Sequence, residues 1–325
     1  MARADTTLRQ GWLTRHVRGL IATTVSTPAY PALLLLVVIA AIMQPRLLSI
    51  PFLLIVLRQA APLALTAIGQ SLPIVGRSID LSIGGVIALS NVVLALPAVS
   101  KGPAWWSIAL PLAIGAVTGL VNAVVVASIR ASAVVATLGV SIMLVGASYI
   151  VSGGAPGGQV NPVIRYIATG RVGMIPNAAI LLFVIAIVIA VFMRRSVFGH
   201  TLHAVGSSHA AAWLGGLAVS PALYVAHILS GILAGTAAIV LTGYIGTGTL
   251  NLGSELVLAS VAAVVLGGTS FGGGQGGIVG VVVGALVLTF LANLLTGMGM
   301  PQPVQLIIQG FIIASAAALA ARRKR

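Results

Sequence analysis

The chain is 325 residues long, 59% of them hydrophobic and only 6% charged, with a mean hydropathy of +1.15. Soluble domains carry about 25% charged residues, so a soluble globular fold would have too little polar surface. The 17 Lys and Arg against 3 Asp and Glu give a formal charge of +14. These basic residues sit in gaps between apolar runs, not on a face interleaved with aromatics. That pattern argues against nucleic acid as a partner and for membrane topology. Cysteine is absent, which excludes a disulfide framework and a thiolate metal site. Asp5, Asp80 and Glu255 are the only acids, too few for paired-carboxylate catalysis.

A membrane-crossing helix needs ~20 mostly apolar residues. Ten runs approach this: Pro28–Gln44, Phe52–Gly69, Ser82–Val99, Trp105–Ile129, Ser132–Ser152, Ile175–Met193, Leu217–Gly243, Glu255–Phe271, Ile278–Gly297 and Val304–Ala321. The first run ends in Met43, Gln44 and Pro45 without a small-x-small cleavage site, so it reads as a retained anchor. Residues 1–27 are then a basic cytoplasmic segment, 28–321 the membrane domain and 322–325 a basic cytoplasmic tail. Ten crossings put both termini on one side. With that side inside, 12 basic residues are internal, 4 are external and Arg58 lies within a span, the asymmetry expected of cytoplasmic loops. The predicted fold is all-α: a polytopic membrane helical bundle of about ten helices with broken segments.

Gly115, Gly119 and Ala123 share one face of the fourth run, and Gly280, Gly284 and Leu288 begin similarly in the ninth. Small residues at this spacing let helix backbones approach closely in lipid. Two stretches are broken by Gly and Pro: Gln70–Gly85, QSLPIVGRSIDLSIGG, and Val264–Gly277, VVLGGTSFGGGQGG. Non-helical backbone at membrane depth survives only when buried in protein or lining a cavity, and broken segments in both halves point to a transport pathway. The second stretch lacks the Gly-Lys-Ser/Thr ending of a phosphate loop, so no ATP site and no cofactor are expected. Thr242–Gly248, TGYIGTG, lacks the pore-helix context of a potassium filter and reads as an external turn.

Asp80 and Glu255 each lie beside the start of a run, where a carboxylate either caps a helix or serves function. On the ten-span map Asp80 lies toward the cytoplasm and Glu255 toward the outside, so a shared proton relay is not expected. Only amides and hydroxyls such as Asn91, Asn122, Ser141 and Asn293 remain within the spans, and the energy for transport would enter from elsewhere. The longest internal loop, Arg194–Ser220, starts basic and breaks into short helical stretches at Gly199, Gly206 and Gly215. It suits a cleft in a cytoplasmic partner, or the lipid interface with Trp213 as anchor. His200, His203 and His209 in this loop have no acidic or thiol companions for a metal.

Four ordered blocks together resemble the integral-membrane permeases of ABC sugar importers of the ribose type. They are Val56–Leu89 with Ile79, Asp80, Leu81, Ser82, Ile83 and Gly84; Val134–Pro156 with its ATLG string; Gly199–Leu217; and Val264–Gly277. The resemblance covers roughly the second to tenth runs. It implies a permease that dimerises with a second copy or a paralogue, engages cytoplasmic ATPase subunits, and receives sugar from an extracytoplasmic binding protein on loops Gly153–Ile175 and Tyr244–Ser254. It implies no chemistry in this chain. Gly199, His200, Gly206, Ala211, Ala212 and Gly215 would belong to the coupling loop. Asp80, Leu81, Ser82, Gly84, Asn91, Thr137, Gly139, Gly267, Gly268 and Thr269 would belong to the pathway or its structural motifs. Two departures stand out. Ser207, Ser208, His209 and Ala212 or Trp213 occupy coupling positions that commonly hold an Asn, an acid and an Arg, and Arg77 with Ser78 stands where glycines are expected. The same machine could carry branched-chain amino acids, a stand-alone carrier would follow an ion gradient instead, and an enzyme lacks clustered catalytic groups.

Overall fold

The computed structural model describes residues 27–301 and 303–311. The basic leader, the end of the tenth run and the tail therefore lie outside the described residues, apart from helical backbone at 303–311. The helices are α1 (Ala29–Met43), α2 (Ile50–Val75), α3 (Ile83–Ala95), the single turn α4 (Pro97–Ser100), α5 (Trp106–Ala123), α6 (Ala133–Ser152), α7 (Pro162–Thr169), α8 (Asn177–Arg195), α9 (Val197–Ser207), α10 (His209–Leu214), α11 (Val219–Ile245), α12 (Ser254–Leu266) and α13 (Ile278–Gly297). A two-residue hairpin, β1 (Arg171–Val172) with β2 (Ile175–Pro176), precedes α8.

Among the described residues six helices are long and apolar enough to cross a membrane: α2, α5 with its π-helical extension to Ser128, α6, α8, α11 and α13. Helices α1, α3 and α12 are apolar but shorter. The sequence runs Ser82–Val99 and Glu255–Phe271 thus overstate their helices, which stop at Ala95 and Leu266. Leu96 is extended ahead of Pro97, as a residue before proline prefers. Gly267 and Gly268, the latter at φ +85°, end α12.

α11 is the axis of the bundle, and α5 packs on it through glycine. A Cβ on Gly115 would collide with the carbonyl oxygen of Gly231, one on Gly119 with that of His227, and one on Gly235 with that of Pro111. The face expected from Gly115, Gly119 and Ala123 is therefore a backbone-to-backbone contact, with Ala123 fully buried. Gly280 and Gly284 of α13 meet the carbonyls of Gly267 and Ala263 in the same way, and Leu288 is buried. α2 carries two internal prolines, Pro62 and Pro73, yet stays helical; it is buried from Ala60 to Val75 against α11, α12 and α13. By contrast α6 leaves Val135, Ile142, Met143 and Ile150 exposed, and Gly139 and Gly146 face open space.

α3 runs parallel to the second half of α11: Asp80, just before it, meets Ser230, and Asn91, near its end, meets Thr242. The segment after α11 turns back along α3, with Gly253 against Ile87, so that α12 starts beside Gly84. The first turns of these two half-length helices lie side by side. The ten-span map put Asp80 toward the cytoplasm and Glu255 toward the outside, whereas the starts of α3 and α12 lie together. Glu255 is in the first turn of α12, exposed, at the level where α3 begins. The map failed there because it gave each apolar run a full crossing.

Candidate functional site

Asp80 sits at the centre of a buried polar knot. It is fully buried, and it does not cap α3, whose N-cap is Ser82 without a side-chain bond. Its Oδ1 accepts from the Ser82 backbone N at 3.0 Å, Ser82 Oγ at 2.6 Å and Asn122 Nδ2 at 3.1 Å. Its Oδ2 accepts from Ser230 Oγ at 2.9 Å. Asn122 also donates to Ser82 Oγ at 2.7 Å. Leu81 N donates to Thr137 Oγ1 at 2.9 Å, tying the non-helical link to α6, and Ser78 Oγ shares a hydrogen bond of 2.9 Å with His227 Nε2. One carboxylate thus fastens the break after α2 to α5 and α11, while its neighbour Leu81 fastens it to α6. A non-helical segment inside an apolar bundle needs such partners for its polar atoms. Neither arginine near it in sequence serves as one: Arg58 lies over the Tyr244 ring at 5.2 Å, and Arg77 Nε donates to Gly272 O at 2.6 Å.

Beside this knot, where α3 and α12 begin, lies a cavity of about 320 Å³. Leu81, Gly84, Gly85 and Ala88 form one wall, Leu138, Ser141 and Val145 of α6 a second, and Asn251, Ser254, Val257 and Leu258 the third. It is mostly aliphatic with a few hydroxyl and amide groups, and its α6 wall belongs to the helix whose other face is uncovered. A larger space of about 650 Å³ between α5, α7, α8 and α11 is lined by Ile108, Leu112, Ile180, Val184 and Ile239 among others. Its chemistry is that of hydrocarbon, which suits a lipid tail better than a polar solute.

At the C-terminal end of α2 three glycine-containing segments converge. The turn Val75–Arg77 lies against Gly206–Ser207 at the end of α9 and against Gly272–Gly274 of the second broken segment. Gly274 N donates to Val75 O at 2.9 Å, and His209 Nε2 bonds to Gly76 O at 3.1 Å. A Cβ on Gly206 would collide with Val75 O, and one on Gly273 with Arg77 Cγ. Arg77 itself holds φ +61°, a conformation natural to glycine. The two broken segments, distant in sequence, therefore meet under α9 and α10.

The remaining expected residues divide by place. Gly199 packs where a Cβ would collide with Met193 O, and His200 Nδ1 bonds Ser196 O at 2.8 Å. Ala211 N donates to the Ser208 cap at 3.2 Å, Ala212 is buried, and Gly215 ends α10, leaving Trp213 and Leu214 exposed. Gly267 packs on Gly280, Gly268 terminates α12, and Thr269 is buried with Oγ1 lacking a hydrogen-bond partner among the described residues. Gly139 faces outward on α6, away from the cavity. Asn91 is not at the cavity but at the far end of α3, bonded to Thr242, Thr247 and Thr249. Ser230 and His227, both buried on α11 three residues apart, escaped the sequence reading. Their signal was a hydroxyl and an imidazole on one face of an otherwise apolar run.

Broken half-length helices around a small cavity in a bundle of apolar helices define a multi-pass membrane permease. Residues 52–317 match the family described as branched-chain amino acid transport system / permease component, and the chain belongs to that family. It is 32% identical over 286 residues to the ribose import permease protein of Escherichia coli strain K12, covering 87% of this chain and 89% of that one. The ribose import permease protein of Bacillus subtilis strain 168 is 31% identical over 283 residues, 86% of this chain and 88% of that one. The autoinducer 2 import system permease protein of Photorhabdus laumondii is 29% identical over 292 residues, 88% of each. No solved structure matches.

Proposed function

We propose that this chain is the inner-membrane permease subunit of an ABC importer that carries a sugar or sugar-like molecule. A binding protein delivers the solute at one face, and separate ATPase subunits at the other supply the energy. The observation that carries the reading is the convergence of both broken segments on Gly206 and His209, because a force applied to α9 and α10 reaches the ends of α2 and α12 directly. The basic residues agree with this orientation: Arg194 and Arg195 close α8 at the α9 end. That end is cytoplasmic in our reading, as are both termini of a ten-span chain.

Trp213 and Leu214, exposed on α10, enter a cleft of the ATPase. The cavity between α3, α6 and α12 is part of the path, which opens alternately to each side as the glycine-packed helices rock. A second copy or paralogue covers α6, where open glycines at 139 and 146 permit a close backbone approach that an ordinary lipid-facing helix does not need. The family's description keeps branched-chain amino acids as the second reading for the solute.

Purification in mild detergent tests the scheme. An ATPase subunit should co-purify and be lost when Arg194–Leu217 is deleted or when Trp213→Ala and Leu214→Ala are combined. Solute uptake in liposomes that proceeds without ATPase, on a proton or sodium gradient, would defeat it.

A further inference from the structure

We propose that α3 is a strut that joins the outward loop surface to the Asp80 knot, with Asn91 as the positioning residue at its outer end. Its consequence for transport rests on the permease reading, whereas its mechanics do not. Asn91 is fully buried, and its amide holds both ends of one turn. Nδ2 donates to Thr247 O at 3.1 Å, and Oδ1 accepts from Thr249 N at 2.6 Å. Nδ2 also donates to Thr242 Oγ1 at 3.1 Å, fixing the amide against α11.

Thr247 in turn forms an antiparallel bridge with Gln159, which belongs to the other outward loop. The last turn of α3 is the floor under both loops: a Cβ on Gly158 would collide with Ala95 O, and one on Gly248 would press on the Ala95 side chain. Two loops far apart in sequence thus form one surface, seated on α3.

The other end of the same helix begins at Ser82, inside the knot that binds α5 and α11, with Leu81 N on Thr137 of α6. Between the two ends lies one uninterrupted helix of 13 residues without proline, ~20 Å long at 1.5 Å per residue. A protein that docks on the paired loops and shifts them displaces Asn91, and the helix passes that displacement to Ser82 in the knot and Leu81 at the cavity wall.

Hydrogen–deuterium exchange of the purified chain in lipid nanodiscs tests the strut without any partner. In Asn91→Ala the amides of 247–250 and 157–160 should exchange about fivefold faster, the change that loss of an average hydrogen bond produces. The amides of Leu81 and Ser82 should speed up with them. Thr242→Val, which removes only the tie to α11, should change all of these less than about threefold, within the weak end of single-bond effects. Should Asn91→Ala fail to fold, Gln159→Cys with Thr247→Cys gives a second arm in this cysteine-free chain. Oxidation should then slow exchange at Leu81 and Ser82, and reduction restore it. Faster or slower exchange confined to the outer loops, with Leu81 and Ser82 unchanged, overturns the strut.

In the reconstituted complex, Asn91→Ala should raise the binding-protein concentration for half-maximal ATPase stimulation several-fold, with a smaller change in maximal rate. A wild-type complex that shows no stimulation defeats the permease reading, and the exchange arm still decides the strut.

Discussion

At Asp80, four donated hydrogen bonds from Ser82, Asn122 and Ser230 converge on one buried carboxylate. Replacement by Ala leaves those donors buried without their acceptor. Asp80→Ala should therefore cost on the order of 3 kcal/mol, seen as a lowered melting temperature in detergent; melting at the wild-type temperature would show the knot to be dispensable. Gly206 has a different constraint, since any side chain there meets Val75 O. Gly206→Ala should fold but push α9 away from the Val75–Arg77 turn, and ATP hydrolysis in the assembled complex should lose its link to uptake, measured as more ATP consumed per solute moved.

The sequence marked both positions, for reasons of unequal strength. Asp80 stood out because acids are scarce in an apolar chain. Ser230 and His227 did not, because a lone hydroxyl or imidazole in an apolar run looks like packing until α5 and α11 are brought together. Arg77 was noticed as a charge where small residues are usual, but its partner, the Gly272 carbonyl, lies 195 residues away and no local pattern encodes it.

Among the elements, the long apolar runs were easy to read because hydrophobicity alone sets their length. α5, α6, α8, α11 and α13 fall close to their expected positions, whereas α2 runs past the expected end at Gly69, through Pro73, to Val75, so the first broken stretch starts only after Val75. α3 and α12 were read too long, since composition cannot tell a full crossing from a half-helix followed by apolar turn. Glycine faces were legible too, because the four-residue spacing of Gly115 and Gly119 has one simple use in lipid. α6 is the exception that makes a prediction. A Cβ on Gly139 or Gly146 would meet nothing among the described residues, so Gly139→Leu with Gly146→Leu should leave the single subunit folded. The same pair should weaken self-association, read as a shift from dimer to monomer by mass photometry in nanodiscs. Ile142→Cys, on the same exposed face of a chain without other cysteines, should form an oxidative cross-link between copies; a monomeric product would redirect attention to lipid on that face.

Across the whole molecule, α3 and α12 overlap by little more than their first turns, with Gly84 against Gly253 and Val257. That overlap is about one helical turn deep, ~5.4 Å, where a continuous helix would span the full hydrocarbon thickness. The aliphatic side chains Leu81, Val257 and Leu258 line the cavity beside that overlap, and they should set its resistance to ion leak. Val257→Ser with Leu258→Ser should make resting vesicles measurably leaky to protons before any solute is present. Equivalent serines at the exposed Val184 and Val188 of α8 should not.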